Sequence, residues 1–310
     1  MTLKFKAPRL AKVLRTAALV FIAGSSLSMA HHSHTHTLCE GFLPENDMKI
    51  PVGFKSFAVG AAGLTEAEFN GVLDRTERIF KPIIAQAGGT FKVNRLWSDA
   101  TVNASAQQNG RNWIINMYGG LARHPATTVE GFALVVCHEI GHHIGGAPKV
   151  KGFLGFGGWA SNEGGSDYYA GLKCLRDFFA EDDNEKIISE ASADGRLTKF
   201  AAGLCDQQFA RDSDRLLCKR TAIGGTSVAG LFQALRNETA PPDFEKPDSS
   251  KVSKTDDKHP ATQCRMDTYL AGALCDVDKS VALSDKDYRQ GSCVENVAKL
   301  GFRPRCWFAP

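Results

Sequence analysis

Residues 135–146, VVCHEIGHHIGG, place three histidines and a glutamate inside an otherwise apolar stretch. Just upstream, Thr127 to Glu130 (TTVE) has the spacing of a capping box, and Gly145-Gly146 is a usual helix stop. The run therefore reads as a helix over 128–144. On such a helix His138 and His142, four residues apart, share a face and can reach one ion. Glu139 lies one residue round, beside that ion and not on it, where it can take a proton from an activated water. Without a partner, two imidazoles and a carboxylate in an apolar run would be costly to bury, and a metal ion supplies the partner. Cys137 and His143 are each turned by about 100° from the neighbouring ligand and fall outside the set. They read as a packed thiol and an ordinary polar contact, as does His124.

A catalytic zinc site normally has three protein ligands and an open position. The stretch NEGGSD (162–167) offers the third, because Glu163 and Asp167 share the face of a second helix expected from about Asn162 to Glu181. Glu163 is the expected ligand, although a first-turn carboxylate also suits the helix dipole. Asp167 is placed to accept the second N–H of a ligand histidine, and Gly164 and Gly165 are expected to let the two helices approach.

The first thirty residues read as a secretory leader: Lys4, Lys6, Arg9, Lys12 and Arg15, then TAALVFIAG (16–24), then Ser28-Met29-Ala30. The apolar run is about half the ~20 residues that span a bilayer and no later run is longer, so no stable membrane insertion is expected after cleavage at Ala30. Loss of the leader removes five positive charges and no negative ones, taking the formal net charge from +3 to −2. The remaining Lys and Arg are scattered among Asp and Glu, which excludes nucleic acid as a partner.

Nine cysteines in an exported chain imply a disulfide framework with one thiol left over. Cys137, inside the apolar helix, is the expected leftover. Cys39, Cys174, Cys205, Cys218, Cys264, Cys275, Cys293 and Cys306 then make four bridges of unspecified pairing. His31 to His36 (HHSHTH) is either a biased, disordered terminus or a metal-collecting tail.

Elsewhere, 64–88 has apolar residues at helical spacing, and 90–97 and 111–118 alternate as strands, with NASAQQNG (103–110) as a turn-rich connector. A Gly-rich loop follows the central helix. Residues 187–237 look helical, 240–258 read as an exposed loop, and a last helix ends near Cys275. The expected organisation is a leader (1–30), a His-rich irregular segment (31–59), a metallopeptidase domain (60–275) and a cysteine-bearing tail (276–310).

HEIGH followed by NEGGSD resembles the gluzincin zinc peptidases. VNASAQQNGRNWIINMYGGL (102–121), with its Asn-Ala pair and strand before the zinc helix, narrows the resemblance to the CaaX-protease and HtpX-like peptidases. So do the E-x-x-x-D run of Glu163 and Asp167 and the pair His259-Pro260 with Arg265 six residues after the histidine. The resemblance implies an α+β, mainly helical, zincin-like domain with a small sheet and a disulfide-bearing helical C-terminal part. It implies one Zn2+ held by His138, His142 and Glu163, Glu139 as general base, and Asp167 behind the ligands. The strand at 112–118 is expected to be an edge strand that pairs with an extended protein or peptide substrate. His259 either stabilises an oxyanion, approaches the metal, or is an ordinary loop histidine. The expected activity is an exported zinc endopeptidase; the alternatives are a zinc amidase acting on cell-wall peptides and a non-catalytic metal binder.

Overall fold

The computed structural model describes residues 41–54, 63–151, 157–298 and 300–310. The leader, the His31–His36 cluster and Cys39 lie outside the described residues. From residue 41 on, the described chain belongs to one compact unit.

Helix α1 (Glu66–Gln86) opens on a formed capping box in which the Thr65 hydroxyl accepts from the Glu68 N–H and the Glu68 carboxylate accepts from the Thr65 N–H. Its inner stripe, Phe69, Val72, Leu73, Thr76, Phe80 and Ile84, recurs every three or four residues and is buried. Strands β1 (Thr90–Leu96), β2 (Ala104–Asn109) and β3 (Asn112–Tyr118) form a sheet of order β1-β3-β2, parallel between β1 and β3 and antiparallel between β2 and β3.

Two expectations are corrected here. The connector 103–110 is itself a strand, and 112–118 is the central strand, bonded on both sides, so it cannot receive a peptide. The edge is β2. Its Ala104 and Ala106 are fully buried, while Gln107 and Asn109 on the other face are exposed, an alternation written in small and polar residues rather than β-branched ones.

A short helix α2 (Gly119–Ala122) leads to α3 (Val129–Ile144). The cap of α3 is Thr128, whose hydroxyl accepts from Gly131 N–H at 3.1 Å. The expected pairing of Thr127 with Glu130 does not form. The Thr127 hydroxyl donates to Leu121 O, and Glu130 meets the buried Arg220. Every residue from Glu130 to His143 is buried, so α3 is the axis of the core. The Gly-rich stretch that follows is bracketed by an antiparallel ribbon of β4 (Lys149–Lys151) and β5 (Gly157–Ser161), structure the sequence reading did not anticipate.

The next helix is broken in kind: α4 (Glu163–Tyr169), a π-helical turn (Ala170–Cys174) and α5 (Leu175–Phe178). Then come α6 (Asn184–Ala193), α7 (Lys199–Gln208), the long α8 (Asp212–Arg236) and, after 240–258, α9 (Thr262–Leu274). The 240–258 segment is irregular, as expected, but not free of the body: Phe244 is buried and Asp256 N–H donates to Trp307 O at 2.8 Å.

Among the described residues four disulfides join Cys137 to Cys174, Cys205 to Cys218, Cys264 to Cys306 and Cys275 to Cys293. Cys137 is therefore not the leftover thiol. Its side of α3 faces the π-helical turn, with 5.5 Å between the Cα atoms of Cys137 and Cys174, a separation that a disulfide spans. The other two C-terminal bridges pin the tail to α9, where Trp307 is fully buried. Among the described residues no helix is long and apolar enough to cross a membrane.

Candidate metal centre

Helices α3 and α4 touch where α3 carries Gly141. A Cβ there would lie 2.9 Å from the Cα of Ser166, so only glycine permits this approach. This corrects the role expected of Gly164 and Gly165: Gly164 makes room for the Trp307 ring, and Gly165 N–H donates to the capping carbonyl oxygen of Asn162 at 2.9 Å. The contact sets Glu163, at the start of α4, opposite the histidine face of α3.

Both histidines are oriented from behind. His138 donates Nδ1–H to Asp167 Oδ1 at 2.6 Å, and His142 donates Nδ1–H to the carbonyl oxygen of Ser161 on β5 at 2.8 Å. A carboxylate and a carbonyl only accept, so the proton sits on Nδ1 in each ring and Nε2 faces inward. His138 Nε2 lies 3.3 Å from Glu163 Oε2, and His142 Nε2 lies 3.7 Å from Glu163 Oε1. Two donors bound at about 2.0–2.2 Å to one tetrahedral ion stand roughly 3.4 Å apart, so the set has the size a zinc-like cation requires. Residues 138, 142 and 163 form a group able to hold a metal ion. Asp167 lies behind the His138 ring, against Nδ1 and away from Nε2.

The electrostatics favour a cation. Burial works against charge on His138, yet Asp167 and Glu163 raise it to about 9. The ring is thus surrounded by negative charge and attracts a positive partner, whether a proton or a metal ion. Glu163 is buried too, and the neighbouring histidines hold its carboxyl well below the usual range. His142 is lowered to about 4 by burial and stays neutral. Glu139 stands beside this group, and both its carboxylate oxygens are buried with no hydrogen-bond partner among the described residues. Burial pushes its carboxyl up to about 8. Orphaned acceptors of this kind are uncommon in native interiors, and a water on a bound cation would satisfy them.

Asp167 is itself anchored by Arg265 of α9, whose Nε and Nη2 donate to its two oxygens at 2.8 and 2.7 Å. Arg265 is fully buried, its guanidinium lying over the touching Phe42 and Phe232 rings at 4.5 Å from each centroid. The spacing from His259 to Arg265, noted in the sequence, thus delivers both residues to one place.

His259 is not an exposed loop residue: its side chain is 10% exposed and its Nε2 lies 3.4 Å from Glu163 Oε2. That nitrogen donates to the carbonyl oxygen of Gly41 at 2.7 Å.

No family model, curated protein or solved structure matches the chain.

His143 points away from the ligands. It stacks between Trp113 and Trp159 and meets Ile114 O at 3.2 Å; burial lowers it to about 3. His124 accepts from Ala126 N–H. What the sequence reading missed is the segment Gly41-Phe42-Leu43, which lies against Asn103, Ala104, His259 and Arg265. Nothing in its composition marks it, since its place is set by contacts 60 to 223 positions away in the chain.

Proposed function

We propose that this chain is an exported metal-dependent endopeptidase, with zinc as its ion. The observation that carries the reading is the convergence of two back-bonded histidine Nε2 atoms and Glu163 beside an orphaned, buried Glu139. Two imidazoles and one carboxylate suit zinc. Held by His138, His142 and Glu163, that ion would supply Lewis-acid activation of water and of a substrate carbonyl.

The chain's own groups supply the rest. Glu139 takes the proton from the attacking water and returns it to the leaving amine, a task suited to a carboxyl near the working pH. His259, 3.4 Å from Glu163, donates to the carbonyl oxygen as negative charge develops there. Arg265 and Asp167 hold His138 in register. Edge strand β2 lies beside α3 and offers a place for an extended peptide backbone, which favours a protein or peptide substrate. Export is supported by four disulfides, which persist in oxidising compartments.

The test is cleavage of an unfolded protein by the oxidised, zinc-loaded chain, with Glu139→Gln beside it. Loss of a general base lowers the rate by about 10²–10⁴, and zinc content should be unchanged. Equal rates in the two chains would overturn the assignment.

A further inference from the structure

The segment Gly41-Phe42-Leu43 is bonded to the site through nearly every main-chain group it has. Phe42 N–H donates to Ala104 O at 2.9 Å. Leu43 N–H donates to Asn103 Oδ1 at 2.9 Å, and Asn103 Nδ2 donates back to Leu43 O at 3.2 Å. Arg265 Nη1 donates to Phe42 O at 2.8 Å, and His259 Nε2 donates to Gly41 O at 2.7 Å. The Phe42 ring is fully buried, edge-on to His138 at 4.9 Å and under Arg265. This is a bent stretch of main chain held at the start of edge strand β2, with the Phe42 and Leu43 side chains fully buried in the core and one carbonyl on a donor beside the metal-binding group. Gly41 adopts φ +100°, and a Cβ on it would come within 3.0 Å of Ala104 O, so glycine alone lets the carbonyl reach His259 this way.

We propose that Gly41-Phe42-Leu43 is bound as an intramolecular substrate and that the chain cuts its own Gly41–Phe42 bond. The proposal rests on the peptidase reading above. Water adds across the amide: its oxygen bonds to the Gly41 carbonyl carbon and the C–N bond breaks with its electron pair left on the Phe42 nitrogen. Both protons of the water end on that nitrogen, one of them carried by Glu139, and the products are a Gly41 carboxylate and a Phe42 ammonium. His259 donates to the carbonyl oxygen that gains charge, and Asn103, Ala104 and Arg265 hold the leaving side in line.

The cysteine pairing points the same way. Of nine cysteines, the eight from Cys137 onward close into four disulfides, and the ninth, Cys39, precedes the proposed cut. Cleavage leaves a body whose cysteines are all paired, separated from Cys39 and from His31–His36.

Two measurements on the full chain test this. Intact mass of the zinc-loaded wild type should show a body beginning at Phe42, while Glu139→Gln keeps Gly41 joined to it; Phe42→Ala should slow the cut at least tenfold and Phe42→Leu much less. Wild type that cleaves an added unfolded protein but keeps the Gly41–Phe42 bond overturns self-cleavage and leaves the peptidase reading standing. A chain that cuts neither itself nor the added protein sinks both. Separately, in metal-free Glu139→Gln the amides of Phe42 and Leu43 should be protected from hydrogen exchange, and Asn103→Ala should speed their exchange at least tenfold; unprotected amides before that change would refute the docked arrangement.

Discussion

His138 sits between two carboxylates, and that placement governs what the centre binds. Its Nδ1 is committed to Asp167 at 2.6 Å and its Nε2 looks toward Glu163. Asp167→Asn keeps the shape but removes the negative charge behind the ring, so zinc affinity should fall by roughly 10–100-fold in a metal-competition titration. Unchanged affinity in a folded variant would show that Asp167 does not tune the ligand.

The same neighbours set a pH dependence. A metal ion must displace a proton from His138, which is raised to about 9, so protons compete more as pH falls below that value. Zinc affinity should therefore climb with pH, by roughly tenfold per unit between pH 6 and 8, and level off above 9. His142, lowered to about 4, adds no slope in that range. A flat profile from pH 6 to 8 would contradict the charge assignment.

At the level of elements, the centre depends on α3 and α4 meeting at Gly141, since the histidines ride on one helix and Glu163 on the other. Gly141→Ala puts a methyl group 2.9 Å from the Ser166 Cα and should cost about 1–3 kcal/mol in urea unfolding, with weaker zinc binding as the helices part. Full stability together with native zinc affinity would mean that the contact is not needed.

The elements also show how far the sequence could be read. α1 was legible from its apolar residues at helical spacing, and α3 from its apolar run and its stop at Gly145-Gly146, although its cap is Thr128 and not Thr127. Strand β2 was not, because ASAQQN lacks β-branched and aromatic residues, and its membership comes from pairing with β3. The His138, His142 and Glu163 set was legible because helical spacing alone aligns the first two and a second motif supplies the third. Cys137 was misjudged since its angle on α3 excludes it from the metal but says nothing of the π-helical turn that brings Cys174 to it. His259 and Arg265 were legible only as a spacing; their convergence on Gly41, Phe42 and Asp167 is tertiary.

At the scale of the whole molecule, one buried helix, a three-stranded sheet and a disulfide-pinned helical half enclose a buried group of two histidines and a glutamate able to hold a metal ion. The central claim is that His138, His142 and Glu163 hold that cation and Glu139 does not. The most direct test is the zinc content of purified, dialysed wild type, Glu139→Gln and Glu163→Ala by elemental analysis. The account predicts about one ion per chain in the first two and little in the third. Equal zinc in Glu163→Ala and wild type would contradict it.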